Sequence, residues 1–465
     1  MNPGTFKSLC GWIAMPIHSP KDAPERSRKL GGCTITVVGI SRFGLSVACL
    51  LASAGFGVLV ADADRRSVYM VSRGRTPFEE PGLEDELKRQ LRMERISVTT
   101  KIRDATSKGR VVVIATQISV GEDGRPDYTP LDGACREVGM GLHPGTLVLV
   151  SVPVGIGVTE TLIQGKLEEA SGLKAGVDFS LAYTLPKARI GRVLEDLSTR
   201  PWILGAIDQR SLEDAREILG AAARGGIIQV SSIRAAEAAG LFEMAHLNVD
   251  SALSNQLARL CEKMGIDFME VYGAVEPGLP PPGLVEGAVR DASRVLLDVA
   301  EEVKVNLGVI VAARRDDDAL VRHVLRLVKD ALKSCGKSVR RSRVAILGVS
   351  STPNAKELEG SLALRVAASL RRARAQLSVY DPHYTRKELS SLGYHPERTA
   401  DDAIKNADCL LVAVAHNQFK ELKPKRIRAL MRTPAAVVDV PRILDGVAVT
   451  REGIAYYGLG WGRKA

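Results

Sequence analysis

Residues 33–64, CTITVVGISRFGLSVACLLASAGFGVLVADAD, are the stretch whose reading decides the fold. An apolar run, Ile35 to Val38, ends at Gly39 and passes directly into a helical pattern. A second apolar run, Val58 to Ala61, then ends at Asp62. Strand, tight turn, helix, strand and acid in that order are the layout of a dinucleotide-binding βαβ unit. Gly39 supplies the tight turn and Gly44 the close helix–strand approach. Ser41 stands where a middle glycine would let the backbone approach a pyrophosphate, so the site reads as one for NAD bound more weakly. Gly39, Ser41, Arg42, Phe43 and Gly44 are the expected contacts of that turn, with Arg42 as a compensating cation. Asp62 is placed to accept the ribose hydroxyls, which favours NAD over NADP.

Outward from this unit the chain keeps the same rhythm. RVVVIATQIS (110–119) and GTLVLVSVPVGIGVTE (145–160) are apolar strands ending in polar loops, whose C-terminal ends face the expected cofactor crevice. LAYTLPKARIG (181–191) and IIQVSS (227–232) complete a first α/β domain over residues 33–230. Residues 233–264 then carry Leu241, Ala245, Val249, Ala252, Leu253, Leu257, Leu260 and Met264 three or four apart, an apolar helical face. At 1.5 Å per residue that helix is roughly 48 Å long. It opens a central helical segment, 231–335. From Arg343 a strand again ends in glycine, Gly348, a helix follows from about Ser361, and LSVYD ends at Asp381, so residues 336–465 repeat the Rossmann pattern. The expected fold is α/β, two Rossmann-like doubly wound domains joined by a long central helix. Residues 1–32 read as a loose extension, with Met15 as an alternative start.

Composition narrows the function classes. Of 465 residues, 45% are apolar and 25% charged, with a net charge of +10, the mix of a soluble globular protein. Aromatic residues are only 4%, and the basic ones are scattered without aromatic interleaving, which argues against a nucleic-acid partner. No run of about 18 apolar residues is present to span a membrane. Seven cysteines, Cys10, Cys33, Cys49, Cys135, Cys261, Cys335 and Cys409, are odd in number and far apart. No pair has metal-ligand spacing, so they read as reduced thiols of a cytoplasmic protein without a metal site.

Several stretches resemble the nucleotide-sugar dehydrogenases that act on UDP-glucose, GDP-mannose and UDP-N-acetylmannosamine. These are VVGISRFGLSVA, RTPFEEPGLEDEL, LARLCEKMGID, RVAILGVSSTPNAKELEGSLALRVAASL, LSVYDPHY, DCLLVAVAHNQFKEL and VVDVPRILD, spread over residues 34–460. The resemblance implies two Rossmann-like domains, pairing through the long helix as a homodimer or with an active paralogue, a nucleotide-sugar ligand, and NAD as oxidant. It also implies oxidation of a sugar C6 alcohol to a carboxylate through a cysteine-bound intermediate.

The chain departs from the family at the residues that carry this chemistry. Aligned on Asp291, the family's cysteine falls on Gly287 and its histidine on Glu286. The family's helix lysine falls on Gly240, the asparagine one turn later on Met244, and the glutamate of the first domain on Lys187. In the third domain the family's lysine and arginine fall on Thr352 and Glu359, and the late arginine falls on Pro441, beside Arg442. His416 matches the family, and in VPVGIGVT (152–159), which resembles the family's second coenzyme loop, Gly157 and Thr159 are kept, so the resemblance implies Thr159 as a cofactor contact. The expectation is a catalytically degenerate relative with no assigned catalytic residue. The alternatives are an active UDP-sugar dehydrogenase using other residues, or a single-step oxidoreductase whose acid/base would be Glu237, His246 or Glu286.

Overall fold

A computed structural model describes residues 34–121, 125–275, 279–284 and 287–462. The extension read over 1–32, and Glu286, lie outside the described residues. The chain divides into two units, the first ending at Gly240 and the second running from Leu241, with Phe78–Pro81 belonging to the second.

In the first unit β1 (Thr34–Val38), α1 (Arg42–Ser53) and β2 (Gly57–Ala61) form the expected βαβ start. They are followed by β3 (Ile96–Thr99), β4 (Val111–Ile114), β5 (Leu147–Val150), β6 (Ser180–Pro186), β7 (Trp202–Ala206) and β8 (Ile227–Gln229). The sheet order is β8-β7-β6-β5-β4-β1-β2-β3. Every neighbouring pair is parallel except β6 with β7. The strand order reverses between β1 and β4, the switch point at which ligands bind in such sheets. The central strands are unbroken apolar runs because helices cover both faces, and all four residues of β4 and of β5 are buried.

The second unit holds β9 (Arg343–Leu347), β10 (Gln376–Tyr380), β11 (Cys409–Val412), β12 (Ala436–Asp439) and β13 (Ala455–Gly458). All are parallel, in the order β10-β9-β11-β12-β13. The α/β, doubly wound expectation is therefore met in both units, although the second uses the shorter 2-1-3-4-5 order.

The long helix, α2, runs Ile233–Met264. Its apolar stripe is not one continuous core face. Leu241, Ala245 and Ala252 are buried, but Leu253, Leu260 and Met264 are 44%, 54% and 64% exposed. The inward face is partly polar instead. Ser251 and Ser254 hydroxyls donate to the carbonyls of Gly283 and Pro280, and Asn255 both donates to and accepts from Gly283. Buried polar groups that find backbone partners are as much a docking surface as leucines are, and apolar periodicity cannot register them.

Both units close their first turn in the same way. Gly39 and Gly348 sit at φ +110° and +88°, a backbone region glycine occupies without strain. The acid ending the second strand then reaches back across the turn. Asp62 Oδ2 accepts from the Ile40 N–H at 2.6 Å, and Asp381 Oδ2 accepts from the Val349 N–H at 2.7 Å. The helix that follows is capped by a serine: Ser41 Oγ accepts from the Gly44 N–H, and Ser361 Oγ from the Leu364 N–H.

Asp381 is fully buried and also takes hydrogen bonds from the Ser350 and His383 N–H groups and from His416 Nε2. Burial raises its pKa, but the His416 hydrogen bond and these N–H groups outweigh it and hold the carboxyl below its usual range. A carboxylate depressed in the folded state contributes stability at neutral pH and loses it as pH falls through and below about 3.9. Asp381→Ala, which strands several buried donors, should cost about 3–5 kcal/mol in chemical denaturation at neutral pH. The deficit should shrink when the titration is repeated in acid, and an unchanged deficit would refute the assignment.

Candidate functional site

The turn read as the cofactor site has its backbone in place. A Cβ at Gly39 would lie 2.7 Å from the Thr116 nitrogen, and one at Gly44 2.4 Å from the Gly39 oxygen, so both glycines are demanded by backbone packing. Ser41 is not the obstruction its side chain suggests, for its hydroxyl turns inward, donating to the Ala115 carbonyl at 2.9 Å while capping α1. Arg42 is buried, 7% exposed, rather than displayed as a surface cation, and Phe43 is half-buried. Asp62 is half-buried, with one oxygen on Ile40 and the other accepting from the Asp64 N–H at 2.8 Å. Each carboxylate oxygen keeps a second lone pair, so the residues present fit a ribose hydroxyl. NAD, when bound there, supplies a two-electron oxidant.

Thr159 is the exception among the expected contacts. It is fully buried, and its N–H is donated to Glu237 Oε1 at 2.9 Å, while the Gly157 N–H meets Glu237 Oε2 at 2.6 Å. Glu237, on the second turn of α2, thus pins the 157–159 loop. Burial pushes its pKa up against these hydrogen bonds, which lower it. A carboxylate occupied this way is not an available acid or base. His246 is no substitute, since it is exposed and pairs with Asp250 at 3.2 Å one turn on.

Gly240 has a packing reason that its sequence context did not reveal. A Cβ there would stand 2.4 Å from Leu185 Cδ2 of β6, itself only 7% exposed. The space a family lysine would leave through is taken by Leu185. Met244 one turn on and Lys187 just beyond β6 are both half-buried.

In the second unit, α3 (Gly287–Glu302) begins at the position of the family cysteine. A Cβ at Gly287 would lie 2.8 Å from Glu359 Cγ and 3.1 Å from its Cδ. Glu359, which stands where the family has an arginine, shares a hydrogen bond with Asp291. That bond, burial and the repulsion of Asp291 push it up to about 7. Among the described residues the buried thiols are no replacement: burial pushes Cys49 and Cys135 up to about 12. Among the described residues there is also no cluster of three or more metal-ligating side chains.

His416 is fully buried and positions other groups. The Asn354 N–H donates to its Nδ1 at 2.9 Å, so Nε2 carries the proton given to Asp381 at 3.2 Å. Its ring stacks on His383 with centroids 4.9 Å apart, and His383 Nδ1 meets Glu79 of the Phe78–Pro81 segment at 2.8 Å. Arg442 is committed to Asp267 at 2.9 Å and lies over the Trp461 ring. Sequence patterns reveal none of these pairings, because each joins residues 19 or more positions apart.

With this geometry established, comparison with known proteins identifies the class. Residues 33–222 match the NAD binding domain of the UDP-glucose/GDP-mannose dehydrogenase family, and residues 345–446 match that family's UDP binding domain. The chain belongs to this family of NAD-dependent nucleotide-sugar dehydrogenases. It is 26% identical over 440 residues to the UDP-N-acetyl-D-mannosamine dehydrogenase of Pyrococcus horikoshii, covering 92% of this chain and 99% of that one. It is 25% identical over 445 residues to the UDP-glucose 6-dehydrogenase of Rhizobium meliloti, with 92% and 99% covered. The solved structure of the Pyrococcus horikoshii enzyme superposes with a TM-score of 0.82 over 92% of this chain and all of that one, at 23% identity, which carries the fold.

Two measurements test the site as described. Gly240→Ala should destabilise the protein by about 1 kcal/mol although alanine is the better helix former, because overpacking outweighs propensity. Leu185→Ala should relieve it, so the double variant should cost clearly less than the two single losses added together; strict additivity in urea titrations would sink the contact. A carboxyl raised in the folded state lends stability below the free glutamate pKa of about 4.3 and loses it as pH rises through about 7. Glu359→Gln should therefore flatten the stability profile between those limits.

Proposed function

We propose that this chain is a catalytically silent member of its family, one that keeps the NAD-binding architecture but does not oxidise a sugar nucleotide to its acid. One observation carries the reading: the positions of the covalent nucleophile and of its lysine are both glycines, and at Gly240 the space a side chain would need is occupied by the buried Leu185. Residues that act as a unit are not replaced singly, and loss of one removes most of the rate. The charge reversals at Lys187 and Glu359 support the same reading, since a diphosphate attracted by an arginine is repelled by a carboxylate.

The silent chain acts by binding and association. On α2, Phe242, Leu253, Leu260 and Met264 are 56%, 44%, 54% and 64% exposed, an apolar surface of the kind that pairs helices. Its occupant is a second copy of this chain or the corresponding helix of an active paralogue. Replacing Leu253 and Leu260 by Glu should convert a dimer to a monomer in sedimentation; a wild-type chain that is already monomeric would refute self-association.

The activity test uses the purified chain with NAD⁺ and, in turn, UDP-N-acetylmannosamine, UDP-glucose and GDP-mannose. No NADH should form, and Gly287→Cys should not restore it while Glu359 stays in place. Sustained release of two NADH per sugar would overturn the proposal. One NADH per sugar would identify a single-step oxidoreductase instead. Calorimetric titration with NAD⁺ and each sugar nucleotide reports separately which binding sites remain.

A further inference from the structure

Between residues 336 and 465 there are 23 Lys and Arg against 12 Asp and Glu, a net +11, whereas the whole chain carries +10. The excess charge of the protein therefore resides in the last domain, and within it the distribution is uneven. The five strands of that sheet are parallel, so their N-terminal ends share one edge, opposite the edge at which such sheets bind ligands. Arg340, Arg341 and Arg343 lead into β9, Arg372 and Arg374 into β10, and Lys405 into β11. All six are exposed. Among the described residues Arg340, Arg341, Arg343, Arg374 and Lys405 form no ion pair. The buried acid of this edge, Asp408, is already consumed by Lys337 and Arg432.

The backbone brings the two arginine segments together. The Arg341 N–H donates to the Arg374 carbonyl at 3.0 Å, and both residues sit in the left-handed region, φ +65° and +63°. At Arg374 that conformation ends the helix Leu362–Arg372, with the Ala375 N–H donating to the Leu370 carbonyl, so the two arginine segments run side by side where their strands begin. Neighbouring strands are about 4.8 Å apart, which places the cations of β10, β9 and β11 as a close row on one edge.

We propose that this edge is an electrostatic docking surface for an anionic phospholipid membrane. Guanidinium groups match phosphate oxygens in paired hydrogen bonds, and exposed basic side chains near an anionic leaflet are attracted over about a Debye length. A nucleic acid shares the phosphate chemistry but fits less well. A single strand asks for stacking aromatics, and the nearby Tyr394 ring is covered by Arg371. A duplex asks for a helix or ribbon that enters a groove, and this edge is formed by strand ends and the short segments before them.

The test is co-sedimentation of the full chain with phosphatidylcholine vesicles, with and without about one-third phosphatidylserine. Binding should require the acidic lipid and weaken about tenfold or more when salt is raised from low to physiological strength. Arg341→Glu, Arg372→Glu and Arg374→Glu together should reduce it by about tenfold or more. The same change in charge at exposed Arg210, Arg216 and Arg224 of the first unit should leave most of it. Circular dichroism confirms that both variants are folded. Absence of binding to acidic vesicles, an equal loss in the control variant, or tighter binding to duplex DNA than to the vesicles would each overturn the proposal.

Discussion

The fold depends on a carboxylate that crosses a turn. In a βαβ unit the first strand must stop, reverse into a helix and leave backbone N–H groups facing the sheet edge, and an N–H left unpaired in a buried turn costs about 1–3 kcal/mol. Asp62 and Asp381 satisfy that demand from the neighbouring strand, one residue past its end, and so lock the register of β1 against β2 and of β9 against β10. The two units share this device although their strand orders differ. In the first the acid stays half-exposed. In the second it is fully buried beneath His416 and works only as a structural anchor.

Much of the architecture was legible in the residues because its signals are local. Apolar runs ending in glycine, a helix pattern directly after, and an acid at the next strand end are all within thirty residues of one another. The limits of α2, Ile233 and Met264, were readable for the same reason. What sequence could not show is which side of a periodic helix faces the core. The stripe containing Leu253 and Leu260 reads as buried, yet the inward surface uses Ser251, Ser254 and Asn255 to hold the 280–283 loop. Hydrophobic periodicity scores an apolar residue and ignores a hydroxyl with a waiting carbonyl.

The site was legible as a set of absences and opaque as a set of replacements. Gly240, Gly287 and Lys187 stand out against the family pattern without any coordinates. That Leu185 fills one gap and Glu359 leans over the other follows from contacts between residues 55 and 72 positions apart, and no spacing rule anticipates them. Three expected cofactor contacts changed meaning in the same way. Ser41 caps a helix, Arg42 is buried, and the Thr159 N–H belongs to Glu237. Ser41 and Thr159 each found an intramolecular partner, and Arg42 is enclosed in the fold.

The contact between Gly240 and Leu185 also bears on how this lineage can change. A lysine placed at 240 meets Leu185 first, and a smaller residue at 185 introduced first leaves a cavity beneath α2. Either order passes through a less stable intermediate. Positions 185 and 240 are therefore epistatic in both directions, so the residue at one sets which side chains the other can accept.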